Sequence, residues 1–182
     1  KAKEIAPKLQ TIGVYLKKTD IFTIPEYQRA YSWTTSHCDK LWLDVENYIS
    51  QNAEDPYFFG TIIIDCSTAG RLNLIDGQQR TTTFFLLLKA MHLRIVDVLE
   101  NMADTEEAAG LKRSLQQSLD AIYEILYRAD VRKQIEIGKD WRCAQGITIL
   151  ENNSINELHK DELKNILEAR TYADAERAVF KF

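Results

Sequence analysis

The residues best suited to chemistry lie together in "LNLIDGQQRTTTFFLLL", Leu72 to Leu88, where an apolar run with strand character meets an apolar run with helix character. Between them stand seven polar residues and one glycine: Asp76, Gly77, Gln78, Gln79, Arg80, Thr81, Thr82 and Thr83. The first N–H groups of an α-helix lack partners within the helix, and that end carries partial positive charge. A strand-to-helix turn with a glycine therefore suits an anion. Gly77 lets an oxyanion approach bare backbone, Arg80 offers a bidentate charged donor, and Gln78 and Gln79 offer neutral ones. The hydroxyls of Thr81 and Thr82 are further ligands for phosphate or metal. Asp76, the one acid in the turn, suits a divalent ion such as Mg2+ or the orientation of a water. The same residues also fit a structural reading, because Asp76 and Gln79 form an N-cap pattern and threonines hydrogen-bond readily within a first turn. Three β-branched residues in succession are nonetheless a poor start for a helix, and such local conflicts tend to mark function.

A second stretch, "TIPEYQRAYSW", adds to this set. If extended, it places Tyr27, Arg29, Tyr31 and Trp33 on one side, a guanidinium between rings that could meet a phosphate and stack a base. Arg29 and the adjacent Gln28 join the phosphate-binding candidates. The rings equally suit packing in the core, with Arg29 spread across them.

Composition bounds the rest. A chain of 182 residues with net charge −4 and pI near 5.5 has no global attraction for a polyanion, so any DNA contact needs a local patch or another domain. Cys38, Cys66 and Cys143 form neither a disulfide framework nor a CxxC site, which points to a reducing, cytoplasmic setting. The longest apolar run, Phe84 to Leu88, falls far short of the roughly 18 residues of a membrane span. There is no GxGxxG, no GxxxxGK[ST] and no HExxH, and His37, His92 and His159 stand apart. The opening without methionine and the helical pattern running to Phe182 read as a piece cut from a longer protein.

Stepping outward, the periodicity predicts a helix over 8–18, a short strand at "DIFTIP", and an amphipathic helix capped at "SHCD" with Leu41, Trp42, Val45, Tyr48 and Ile49 on one stripe. "YFFGTIIID" and "RLNLID", joined by "CSTAG", predict an antiparallel hairpin. The helix after Asp76 is apolar on nearly every side and should run through the core. Farther on, Leu111, Leu115, Leu119, Ile122 and Leu126 mark another helix, "KQIEIG" and "GITIL" suit short strands, and "SINE" at Ser154 suits a capping box.

The motifs "IPEYQRAYSW" and "LIDGQQRTTT", with "FFGTIII" between them, closely resemble the signature of the GmrSD-type restriction endonuclease N-terminal domain family, over roughly residues 10 to 100. The resemblance implies an α+β, ParB/sulfiredoxin-like fold, a small mixed sheet packed on helices, with a nucleotide-binding core at 1–100 and a mainly helical extension at 101–182. In that fold the glycine-containing turn handles nucleotide phosphates, here Gly77 to Arg80. Sulfiredoxins carry a reactive cysteine where this chain has Gln78, so sulfur chemistry is not expected. The family implies binding and hydrolysis of a nucleoside triphosphate; with the reading of the turn given above, Asp76 and Arg80 are the candidates for catalytic roles. It also implies a separate C-terminal HNH-type nuclease that cuts DNA in modification-dependent, anti-phage restriction. The first expectation is thus a regulatory NTPase domain that reaches DNA through the full-length protein, with a homodimer left open. The alternatives are a DNA-binding module without turnover, its aromatics reading a base, and a non-catalytic scaffold.

Overall fold

The structure, a computed structural model, describes residues 5–17, 20–51, 56–127, 149–154 and 160–178. Four strands form one mixed sheet in the order β2-β3-β1-β4: β1 (Ile21–Ile24), β2 (Ile63–Asp65), β3 (Arg71–Asp76) and β4 (Leu150–Asn152). β2 and β3 make the expected antiparallel hairpin, whereas β1 runs parallel to both β3 and β4. Alternation along β3 sends Leu72 and Leu74 into the core, where Phe22 of β1 and Phe85 are also fully covered. β4, from beyond residue 100, completes the sheet, and α4 (Ala109–Leu126) lies along α3 (Gln78–Asn101). The architecture is α+β.

α3 is the central rod, as its all-round apolar sequence predicts, and it buries Phe84, Phe85, Leu93 and Val96. Leu119, Ile122 and Leu126 of α4 are buried as the stripe requires, while Leu111 is exposed. α1 (Ile12–Leu16) is shorter than expected, because Thr11 caps it by accepting from the Val14 N–H. α2 (Thr35–Ser50) is capped at Thr34 rather than at Ser36: the Thr34 N–H donates to Nδ1 of His37, which takes the place of the usual Glu or Gln. The stripe on α2 faces α3 across an apolar hollow and buries no residue fully. The "KQIEIG" segment, most of "GITIL", Cys143 and the start of the helix after Ser154 lie outside the described residues. Ser154 itself donates its hydroxyl to the Gln28 carbonyl. Two helices follow, α5 (Lys160–Glu168) and α6 (Tyr172–Ala178).

Lys89 of α3 is 1% exposed and has no carboxylate partner among the described residues. Its ammonium donates to the Tyr127 hydroxyl and to the Ala169 carbonyl, and Tyr127 donates in turn to the Leu167 carbonyl. A cation is thereby set against the carbonyls at the C-terminal end of α5, the negative end of that helix. Burial lowers the Lys89 ammonium from 10.5 to about 8. Burial, and then Lys89, lowers the nearby His92 to about 3.

In the folded chain Lys89 gives up its proton above about pH 8, while the unfolded chain holds it to about 10.5. Stability should therefore rise from pH 8 to pH 10 and be lost again as pH falls back through 8, by an amount on the order of 3 kcal/mol. Above pH 10, Tyr15 and Tyr31, both raised to about 12 by burial, reverse the trend. Lys89→Met is expected to abolish the rise in urea-unfolding free energy between pH 8 and 10, and an unchanged slope would contradict this role.

Candidate functional site

β3 delivers the chain to Gly77, whose φ of 84° lies in the left-handed region that glycine adopts freely. A Cβ there would also meet Cγ1 of Ile62 at 2.8 Å, so the position is closed to side chains twice over. Asp76, exposed, turns one carboxylate oxygen back to accept the Gly77 N–H at 2.8 Å. The first helical hydrogen bond runs from the Thr81 N–H to the Gly77 carbonyl. Among the described residues, no acceptor meets the N–H groups of Gln78, Gln79 or Arg80.

The side chains of the two motifs fasten to each other. Gln28 Nε2 donates to the Ile75 carbonyl, Gln78 Nε2 to the Arg29 carbonyl and Gln79 Nε2 to the Ala30 carbonyl, while Gln79 Oε1 accepts the Ser32 N–H at 2.8 Å. Two threonines extend the seam, Thr81 pairing with the Tyr15 hydroxyl at 2.8 Å and Thr83 with the Tyr31 hydroxyl at 2.9 Å. The unusual run of threonines thus has a packing reason at two of its three positions. Thr82 is 1% exposed, and its hydroxyl has no partner.

The extended alternation expected from Tyr27 to Trp33 does not hold, because Pro25 ends β1 and a turn follows, closed by the Gln28 N–H on the Pro25 carbonyl. Tyr27, 69% exposed, and Arg29 face solvent. Tyr31 instead packs against Thr83 and Cys38, and Trp33 stacks on His37 with ring centroids 5.8 Å apart.

Arg80 is held on the other side of the turn, where its guanidinium donates to the Phe59 and Thr61 carbonyls and lies across Gly60. Gly60 has φ 98°, and a Cβ there would collide with Nη1 of Arg80. This explains why only Ile63–Asp65 of the predicted strand "YFFGTIIID" pairs: the two preceding carbonyls are turned to the arginine rather than to a neighbouring strand. All three motifs therefore meet at the head of α3. The sequence reading missed Tyr15, Gly60 and Ser154 as members of this assembly. A glycine inside a β-branched run is a signal of close approach and could have flagged Gly60; nothing local marks the other two.

Two hollows lie off the turn itself, the second of them reaching Tyr31 and Thr83 of the seam. One, of about 390 Å3, borders Asn165, Glu168 and Arg170 near the junction of α5 and α6, and an apolar one of about 170 Å3 separates Trp42 and Val45 of α2 from Leu86 and Leu87 of α3. Among the described residues no group of three or more His, Cys, Asp or Glu could hold a metal, and no helix is long and apolar enough to cross a membrane.

The model of the GmrSD restriction endonuclease N-terminal domain matches residues 12–179. The chain belongs to that family. The match extends well past residue 100, where the motifs end, and takes in β4 and the helices that follow. No curated protein matches the chain.

A double-mutant cycle tests the seam on this side. Gly60→Ala should cost about 2 kcal/mol or more, and Arg80→Ala about 1.5–3 kcal/mol for its carbonyl bonds. Removing the guanidinium relieves the collision, so the double variant should be at least about 1 kcal/mol less destabilised than the sum. Simple additivity would show that the two residues are not in contact.

Proposed function

We propose that the head of α3 binds the phosphates of a nucleoside triphosphate, and that this GmrSD N-terminal domain hydrolyses the nucleotide to control a DNA-cutting partner in modification-dependent phage defence. One observation carries the reading: the N–H groups of Gln78, Gln79 and Arg80 have no acceptor among the described residues, at the positive end of a 24-residue core helix. Leading N–H groups of a helix that find no protein acceptor are met by water or by ligand. A phosphate held on backbone N–H groups needs a mouth and a glycine more than it needs a deep cavity.

The surrounding side chains support this reading. Because Gln78 and Gln79 hold the backbone at Arg29 and Ala30, the Arg29 backbone is carried beside the turn, and its side chain is exposed and without a carboxylate partner among the described residues. It is the free guanidinium for a phosphate, while Arg80 supplies positive charge and keeps the Phe59–Thr61 segment in place. Asp76 is positioned by its bond to the Gly77 N–H and keeps an exposed carboxylate. Divalent ions in nucleotide sites commonly rest on one or two carboxylates plus the phosphates themselves, so Asp76 alone fits a Mg2+. Such an ion would offset phosphate charge, and Asp76 would orient the attacking water.

A second reading, a DNA-binding module, draws on Tyr27, which is 69% exposed two residues before Arg29 and could stack on an unpaired base. The net charge of −4 weighs against it.

Thermal shift and phosphate release with Mg2+ and each of the four common NTPs test the first reading. At least one NTP should stabilise the native chain. Arg29→Ala should bind it about tenfold or more weakly without loss of stability, because the replaced side chain is exposed and unpaired. Asp76→Asn should retain binding and lose phosphate release. No shift with any NTP, together with salt-dependent retention of duplex DNA, would favour the second reading.

A further inference from the structure

α2 carries the stripe of Leu41, Trp42, Val45, Tyr48 and Ile49, yet none of its residues is buried. A helix in a folded protein is held chiefly by burying such a stripe, so α2 lacks the usual anchor. Beneath it lies the apolar hollow of about 170 Å3, bordered by Leu41, Trp42 and Val45 on one side and by Phe84, Leu86 and Leu87 of α3 on the other. Protein interiors hold few voids larger than a water molecule, and apolar walls of this kind gain by meeting.

Two ties hold α2 instead, and both run to the head of α3. In front of the helix, the Ser32 N–H donates to Gln79 Oε1 and the Tyr31 hydroxyl meets Thr83 Oγ1 at 2.9 Å. The single hydroxyl proton of Thr83 already goes to the Gln79 carbonyl, so Tyr31 is the donor in this pair. Farther along, the Tyr57 hydroxyl donates to Asp44 at 3.4 Å and its ring lies against Tyr48. Tyr57 in turn packs edge-on against Phe59, whose carbonyl accepts from Arg80. Elements with few buried contacts are the ones a ligand can shift.

We propose that α2 is a strap that closes onto α3 and shuts the hollow when the head of α3 is occupied; this rests on the phosphate-binding reading above and adds a conformational response to it. A ligand shifts such an equilibrium only through contacts that differ between the two states. Here those contacts fall on the ties themselves, because Arg29 and Ser32 lie on the segment that leads into α2 and Arg80 holds Phe59. A phosphate drawn to both guanidiniums pulls on both ties at once. The hollow then gives the stripe a second, packed arrangement in which to rest, and two discrete arrangements are what a switch requires.

Cys38 reports on the hollow, since it is half-buried on the wall that α2 contributes. In a chain carrying Cys66→Ser and Cys143→Ser it is the single thiol. The experiment measures its rate of alkylation by iodoacetamide with Mg2+ alone and with Mg2+ and each of the four common NTPs at saturation, the melting temperature of the same samples reporting binding. It is repeated with Tyr31→Phe, which keeps the ring and removes the hydroxyl that ties the segment before α2 to Thr83. Any NTP that raises the melting temperature should slow alkylation about fivefold or more, as a shift to a mostly closed strap requires. In Tyr31→Phe the same NTP should slow it less than about twofold. An unchanged rate with an NTP that does raise the melting temperature overturns the strap and leaves the phosphate reading standing. Undiminished slowing in Tyr31→Phe, as direct shielding of the thiol by nucleotide would give, overturns the assignment to these ties. A melting temperature that no NTP raises overturns the phosphate reading and the strap with it.

Discussion

The head of α3 depends on the exchange of side-chain amides for backbone carbonyls between the two motifs. Glutamines at 78 and 79 reach the carbonyls of residues 29 and 30, and Gln28 reaches the carbonyl of Ile75. Because these bonds use side chains, the helix's own leading N–H groups are not consumed in holding the loop. An aspartate or serine cap would have taken up one of those donors. At this helix the N-cap is a glycine with no side chain to offer, and Asp76 spends its carboxylate oxygen on the Gly77 N–H instead of on the helix.

α3 couples this surface to the rest of the domain. At its head, Arg80 pins the segment before β2, and Thr81 and Thr83 fasten α1 and the loop before α2 through Tyr15 and Tyr31. Farther along, Lys89 reaches the Ala169 carbonyl just past the end of α5. A buried cation with only neutral acceptors is a costly way to join two helices. Its donors, however, fix how α5 sits against α3 in a manner that interchangeable apolar contacts would not.

Much of this was legible in the sequence, and the reasons differ by element. α3 was legible because it is long and apolar on nearly every side, and the hairpin because its two β-branched runs flank a short turn. The turn at Gly77 stood out because polar residues interrupt an apolar sequence. The helical reading of residues 41 to 49 was right about α2 and wrong about its cap, since a histidine can act at N3 where Glu or Gln is usual. Alternation failed over 27–33 because one proline turned the chain before the pattern began. The partnerships of Tyr15 with Thr81, separated by 66 positions, and of Ser154 with Gln28, separated by 126, carry no local signature, because they are set by tertiary packing alone.

The most direct measurement is backbone amide exchange and chemical shift at Gln78, Gln79 and Arg80 in the 15N-labelled chain, with and without saturating nucleoside triphosphate and Mg2+. These three amides should exchange faster than those from Thr81 onward in the free protein, then shift downfield and become protected together when nucleotide is added. Amides already protected in the free protein, or left unchanged while nucleotide binds, would contradict the account.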